Sequence, residues 1–460
     1  MLTKNQRADV RIESCTPEGY GICRLEGRAV FVASAMAGER WEILILKVTA
    51  SAVWAKGLRL LEPSACRCEP DCRNLCGGCT MRHMDYDEEL RVKKEYVDDC
   101  LCRLGKQPTG TAAIHPSPLT ARYRNKAIFA VDPVAGKPAF GFYRPRTHTL
   151  VPVEDFLLQS EKCLQAARAV TAFMEQYEFL PYEEQSGKGT VRHVFWRESR
   201  RGDAVLCIVA ARGFGSLTTA LTSFLREQCP FLTGIVLNIN KTRGNTVLAG
   251  EFYSLWGRPT VMETLCGNEF EVAPQAFLQI NPPQAEALYR KALEYATENR
   301  SGEPAGNALA LDLYCGAGTV SLCLAGRFQK VIGAEIVPQA IKNAKENAER
   351  NGIGNAEFVC ADAAEIADRL KREGLRPDAV VVDPPRKGLA ESVVRDIVAM
   401  QPDRVVYISC NPSTLARDVA RFTVLGYQMI TAEAYDMFPR TSHVETVCLL
   451  SNRKPESLCT

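Results

Sequence analysis

The sequence predicts an α/β protein in which a small N-terminal β-barrel and a central α+β region precede a doubly wound parallel sheet. Three observations predict it. In the last third, strand-like runs at Leu309–Tyr314, Val331–Glu335, Glu357–Cys360, Ala379–Val382 and Val405–Ser409 alternate with helical stretches, the rhythm of βαβ units. In the first sixty residues, short runs such as Ala29–Ala33 and Trp41–Leu46 are broken by glycine turns, which suits a small barrel of OB type. At 460 residues the chain is also too long for one ordinary core.

In order along the chain, residues 1–63 form the expected barrel, closed by Pro63. Residues 64–109 hold Cys66, Cys68, Cys72, Cys76 and Cys79, then a helix over Asp85–Arg103 with acidic residues leading and basic ones following. Residues 110–275 alternate strand-like pieces such as Ala204–Ala210 with helical ones. Residues 276–460 carry the doubly wound unit and end in Tyr427–Met437 and Val444–Leu450, close enough to form an antiparallel pair.

Composition narrows the class. A 46% hydrophobic and 24% charged chain is globular rather than disordered. No apolar run approaches bilayer length, and Met1–Arg7 lacks the apolar core of a secretory signal, so a soluble cytoplasmic protein with no membrane contact is expected. Nineteen cysteines in that compartment do not imply a disulfide framework. The net charge of +2 gives no global sign of nucleic-acid binding, which would have to come from local clusters.

The first strand of the last third runs into Asp312-Leu-Tyr-Cys-Gly-Ala-Gly318, where glycines at a strand-to-helix turn let a ligand approach the backbone. Glu335 ends the next strand, placed to accept hydrogen bonds from ribose hydroxyls; Asp362 and Asp383 end the third and fourth. Any one of these acids could equally be a strand-end or helix-cap residue. Four in register along the ligand-binding edge suit a cationic nucleoside cofactor better than a pyrophosphate.

Val405–Cys410 reads as a buried strand delivering a cysteine to the same edge, before the polar turn Asn411-Pro412-Ser413-Thr414. A cysteine ending a strand is usually core packing. One beside a helix N-terminus is expected to have a lowered pKa and to act as a thiolate. Glu445 would return to this edge from the final hairpin, completing a nucleophile and base.

These motifs carry a resemblance. Asp312-Leu-Tyr-Cys-Gly-Ala-Gly-Thr319, Asp383-Pro-Pro-Arg-Lys-Gly388, Ser409-Cys-Asn-Pro-Ser-Thr-Leu-Ala-Arg-Asp418 and His443-Val-Glu445 resemble the RNA uracil-C5 methyltransferase family, as does Ala276-Phe-Leu-Gln-Ile-Asn281. Gly19–Arg24 through Ala37–Glu39 is similar to that family's TRAM domain. The resemblance implies a Rossmann-like class I methyltransferase unit that uses S-adenosylmethionine. It implies that Cys410 attacks C6 of a uracil, that Glu445 removes the C5 proton, and that Gln279, Tyr314, Glu335 and Asp383 hold the cofactor. The target base would be flipped from its stack. By resemblance alone the RNA partner leans to 23S rRNA over tRNA, and no obligate protein partner is implied.

Two segments are candidate RNA contacts: Arg122–Lys126 with Phe140–Arg146, which interleave cations and rings, and Lys188, Arg192, His193, Arg197, Arg200 and Arg201. Either alone reads better as solvated surface; beside a TRAM-like barrel and a methyltransferase site, RNA contact becomes the better reading. Cys76-Gly-Gly-Cys79 resembles part of the family's iron–sulfur motif, which implies a 4Fe–4S cluster on Cys72, Cys76 and Cys79, against zinc or free thiols. The family pattern puts five residues between its first two cysteines, whereas Cys72 and Cys76 enclose three. Phe156 stands where the fourth ligand is expected, leaving Cys163, Cys68 or Cys66 as substitutes. The spacing Cys72-x-x-x-Cys76-x-x-Cys79 also matches radical S-adenosylmethionine enzymes, which does not explain Ser409–Pro412. A cytosine-C5 enzyme would carry a Pro-Cys pair where Asp383-Pro384-Pro385 stands, and a non-catalytic RNA-binding protein would lose no activity in Cys410→Ala.

Overall fold

The computed structural model describes residues 2–70, 72, 76–144, 147–242, 244, 246–297 and 308–452. Its first unit has six strands: β1 (Arg7–Arg11), β2 (Ser14–Cys15), β3 (Tyr20–Leu25), β4 (Arg28–Ala33), β5 (Arg40–Val48) and β6 (Val53–Glu62). They pair in the order β1-β5-β6-β4-β3-β2. Val30, Val32, Ile43 and Ile45 are wholly buried, in a core whose members all come from this sheet and its turns. A sheet that covers its own apolar face without a second layer must curl, as the glycine-punctuated strands imply.

The cysteine-rich stretch leads into α1 (Tyr86–Asp99), a π-helical turn over Cys100–Leu104, and β7 (Ala113–His115). Asp85 caps α1 by accepting from the Glu88 amide, and acidic residues fill the first turn, as expected for a helix start.

The central sheet contains β8 (Lys126–Val134), β9 (Lys137–Tyr143), β10 (Leu150–Pro152), β11 (Val191–Glu198), β12 (Ala204–Ala210), β13 (Gly234–Ile239) and β14 (Glu251–Gly257). They pair in the order β10-β9-β8-β11-β12-β13-β14. Helices α2 (Glu161–Gln176) and α3 (Thr218–Gln228) cover one face. Every residue of β12 is buried because Leu206 and Ile208 meet those helices while Cys207 and Val209 face the next unit. The hairpin β15 (Val261–Leu265) and β16 (Asn268–Val272) then leads into α4 (Pro282–Thr297).

The last unit alternates β17 (Leu309–Leu313), α5 (Thr319–Ala325), β18 (Lys330–Glu335), α6 (Pro338–Arg350), β19 (Ala356–Cys360), α7 (Ala363–Glu373), β20 (Ala379–Val382), α8 (Glu391–Ala399), β21 (Arg404–Ser409), α9 (Pro412–Val424), β22 (Gln428–Tyr435) and β23 (Glu445–Ser451). The order is β19-β18-β17-β20-β21-β23-β22-β7, parallel except that β23 runs against β21 and β22. Both faces are covered: Ala310, Val381 and Val406 pack with residues of α4–α6, while Leu311, Val380 and Val405 pack with those of α7–α9. The five expected parallel strands and the final antiparallel pair are present. The edge strand β7 arrives from far upstream and is too short to show a period.

Candidate active site

Register builds the site. Leu313 pairs with Ala334 and with Val382, so one step further Tyr314, Glu335 and Asp383 end adjacent strands at the carboxyl edge. On β21 the ladder sets Ser409 opposite Thr446; its next step brings Cys410 beside Glu445. The structure thus gathers Tyr314, Glu335, Asp383, Cys410 and Glu445 along one edge, with the largely buried Gln279 nearby through Tyr289.

Each position has a local cause. Tyr314 adopts φ 66°, a left-handed conformation that is strained for a side chain of this size and is tolerated where a site fixes it. Gly318 caps α5 with φ 84°; a Cβ there would press on the Phe358 ring at 3.0 Å. Gly316 borders open space, so its backbone can receive a ligand. Asp362 has a structural task as well: its side chain caps α7, accepting from the Glu365 amide in a capping box, while its charge still reaches Tyr314.

The Ser-Cys-Asn-Pro motif is partly architecture. Asn411 caps α9 by accepting from the Ser413 amide, and its Nδ2 donates to the Arg386 carbonyl at 3.2 Å. Wholly buried Asp418 accepts from the Tyr407 hydroxyl at 2.9 Å, the Leu389 amide at 2.8 Å, and Arg417 Nε and Arg421 Nη1 at 2.9 Å each. It thereby ties α9 and β21 to the 383–389 loop. Gly388, at φ 70°, passes so close that a Cβ would lie 2.5 Å from an Asp418 oxygen.

Electrostatics corrects one expectation. The Cys410 thiol is pushed up to about 11, by burial first and then by the Glu445 and Asp383 carboxylates. These outweigh the nearby α9 N-terminus, so the thiol is protonated at neutral pH rather than a standing thiolate. Burial also lifts Asp383 and Asp312 to about 7, and Glu445 well above the carboxylate range. Several carboxylates on a buried edge, offset in part by Arg386 beside Cys410 and Glu445, favour a positively charged ligand. Tyr289 is a member that sequence reading missed. It is buried among Asp383, Thr319 and Gln279 but sits on the apolar face of α4, where its pattern is that of core.

Comparison with known proteins bears on this geometry. The tRNA (Uracil-5-)-methyltransferase family profile matches residues 267–453. An RNA methyltransferase of Clostridium tetani is 35% identical across 98% of this chain and 97% of its own. One of Halalkalibacterium halodurans is 36% identical across 98% of each. The chain belongs to the RNA uracil-C5 methyltransferase family. The crystal structure of Pyrococcus abyssi tRNA (uracil-54, C5)-methyltransferase, in complex with S-adenosyl-L-homocysteine, is similar over 97% of this chain and 100% of that one, with TM-score 0.76 and 26% identity. An S-adenosylmethionine-dependent RNA methyltransferase accounts for the cation-seeking pocket. No helix among the described residues is long and apolar enough to cross a membrane.

The methyltransferase's second basic cluster is divided: Arg192 and Arg197 are buried, whereas Lys188, Arg200 and Arg201 are exposed, both of these arginines in ion pairs. Arg192 donates to the Asn240 and Thr242 carbonyls, Arg197 is 1% exposed, Arg200 pairs with Glu263 and Glu286, and Arg201 with Glu269. His193 is held neutral by burial, its pKa lowered to about 4. In the first cluster Arg124 lies over the Tyr123 ring at 5.8 Å and Tyr143 is exposed; Arg146 lies outside the described residues. Phe277, 68% exposed two residues before Gln279, is a further ring at this surface.

The cysteine segment does not fit a four-thiolate 4Fe–4S site. Among the described residues no three metal-ligating side chains converge, Cys72, Cys76 and Cys79 included. The Phe156 ring packs against the Gly78 turn beside Cys76, filling the place of a fourth ligand. Cys163 is wholly buried in α2, with its thiol pushed well up by burial. Cys68 donates to the Arg82 carbonyl, and Cys66 lies beside Asp85 and Glu88. The stretch sits between a curled sheet and α1, not within the repeated βα barrel that radical chemistry on these cysteines would require.

Proposed function

We propose that this enzyme methylates carbon 5 of a uridine in RNA, with Cys410 as nucleophile and Glu445 as base. The ladder step that sets Cys410 beside Glu445, at the edge shared with Asp383, carries the reading. The N-terminal curled sheet is read as a TRAM-type RNA-binding barrel and the C-terminal sheet as a Rossmann-like class I methyltransferase unit.

S-Adenosylmethionine supplies an electrophilic methyl group on a sulfonium cation when bound. Gln279, Tyr314, Glu335 and Asp383 would hold it, Glu335 accepting from ribose hydroxyls and Asp383 facing the positive charge. Neutralising Asp383 removes one of the two carboxylate fields that keep Cys410 protonated. The Cys410 thiol gives its proton to solvent as its sulfur adds to C6, and the C5–C6 π pair becomes an enolate carbon at C5. C5 takes the methyl group as the methyl–sulfur bond breaks. Glu445 acts here in its ionised form, which burial makes the minor one at neutral pH: its carboxylate accepts the C5 proton, the freed pair re-forms the double bond, and the C6–sulfur bond breaks to return Cys410.

The pocket's titration gives a pH prediction. Asp383 ionises near pH 7, and a cation binds its charged form. Affinity for S-adenosylmethionine should therefore rise about tenfold from pH 6 to pH 8, with protons released on binding. S-Adenosylhomocysteine, which lacks the sulfonium charge, should vary far less. Calorimetry at both pH values checks this; equal slopes for the two ligands would remove Asp383 as the sulfonium's partner.

Incubation with 5-fluorouridine-substituted RNA and S-adenosylmethionine tests the chemistry, because fluorine cannot leave C5 as a proton does. A denaturation-resistant protein–RNA adduct is expected, and none from Cys410→Ala. No adduct from enzyme shown to bind cofactor would refute C5 chemistry. We favour 23S rRNA as substrate; the Pyrococcus structure favours tRNA as the second reading. Running both RNAs separately decides between them.

A further inference from the structure

The loop between β22 and β23, residues 436–444, delivers Glu445 to the site. Its carbonyls are gripped one after another by different parts of the chain. Met437 O accepts from Asn281 Nδ2 at 3.1 Å and Phe438 O from Lys93 Nζ at 3.2 Å. Pro439 O accepts from the Tyr123 hydroxyl at 2.9 Å, and Arg440 O from the Thr80 and Met81 amides at 3.0 and 3.3 Å. Thr80 and Met81 directly follow Cys79.

Lys93 is the hub of this grip. Its wholly buried ammonium also donates to Glu89 Oε1 at 2.7 Å and Asp436 Oδ1 at 2.6 Å, both carboxylates likewise buried. Asp436 Oδ2 accepts from the Tyr86 hydroxyl at 2.8 Å, and Glu89 Oε1 from the Arg440 amide at 2.7 Å. Arg440 itself is held at φ 69°, a strained conformation that surrounding contacts must impose. Two carboxylates and an ammonium out of water are an expensive way to join a helix to a loop; apolar residues of similar volume would often do as well for stability. What the charges add is a fixed geometry for the loop.

We propose that Thr80–Lys93, together with Tyr123, is a positioning clamp for the loop that carries the base, with Lys93 as its central positioning residue. This rests on the reading of Glu445 as base. It gives the cysteine-rich segment a role that needs no metal: its backbone and the helix after it set where Glu445 meets the C5 proton. Cys410 rides on β21 and is not held by this loop, so the clamp acts on proton removal rather than on attack.

Two variants test it. Lys93→Met combined with Glu89→Gln and Asp436→Asn removes the three buried charges together, leaving only the partly exposed Arg440 guanidinium without its Glu89 partner; Tyr123→Phe removes one grip and a single oxygen. On natural RNA, turnover should fall about 10–100-fold in the triple variant and less in Tyr123→Phe, the cost of a misplaced group. KM should fall along with kcat because methylated covalent adduct accumulates, and capture of 5-fluorouridine RNA should proceed at the wild-type rate. Normal turnover without adduct in Tyr123→Phe and in the triple variant would overturn the clamp. So would capture and turnover falling in equal proportion, which is general loosening. If the triple variant does not fold, Tyr123→Phe decides alone by the same split. Glu445→Gln is the reference: if it accumulates no adduct on natural RNA, the base assignment fails and takes the clamp's role with it.

Discussion

A Glu445→Gln variant incubated with natural RNA and S-adenosylmethionine is expected to stop at a methylated protein–RNA adduct, with turnover reduced about 10²–10⁴-fold, the usual worth of a positioned general base. Glutamine keeps the shape of the side chain but cannot accept the C5 proton, and without that proton leaving, the pair that expels Cys410 is not available. Covalent addition and methyl transfer precede this step and should survive. A denaturing gel with methyl-labelled cofactor reads the outcome; a variant that turns over normally would place the base elsewhere.

The same substitution should change how stability depends on pH. Burial pushes the Glu445 carboxyl well above its ordinary range, so between the unfolded value near 4.3 and the folded one the unfolded chain binds fewer protons. Wild-type stability contributed by this group therefore falls as pH rises through that window. Glutamine does not titrate, so the variant should lose that part of the slope and be no less stable than wild type at pH 8.

Asp418→Ala is expected to cost about 3–5 kcal/mol of folding stability and to abolish activity. The truncation strands the Tyr407 hydroxyl and the Leu389 amide inside the protein, and leaves Arg417 and Arg421 without their shared carboxylate. The guanidiniums are partly exposed, so water recovers some of their loss; the buried hydroxyl and amide have no such recourse. Activity suffers because this carboxylate joins the loop of Asp383 to the helix that follows Cys410. Urea denaturation followed by circular dichroism measures the effect. A loss below about 1 kcal/mol would mean that the Asn411 and Thr414 contacts to the Arg386 carbonyl hold the loop by themselves.

Much of this protein was legible along the chain. The short continuous apolar runs Ala379–Val382 and Val405–Ser409, and the glycines after β17 and around β3, are local signals, because runs of strand-forming residues and turn geometry depend on near neighbours. They placed Tyr314, Glu335 and Asp383 on one edge, and the final hairpin brought Glu445 towards Cys410. Other features depend on partners far away in sequence. The cations of residues 192–201 looked free because Glu263, Glu269 and Glu286, which pair with them, come some sixty or more residues later. Tyr289 looked like core because nothing on its own helix announces Asp383.

The sequence by itself determined the parallel sheet and the order of the residues that end its strands, and it singled out Cys410 as the proposed nucleophile. Only the tertiary structure decided the protonation of Cys410, the filling of the fourth cysteine position by Phe156, and the grip of Lys93 on the base loop. The physical reason is the same in each case. Local backbone preference is a property of adjacent residues, whereas fields, burial and buried hydrogen bonds depend on distances through space. Those distances exist only after β21, β23, α1 and the 383–389 loop have come together.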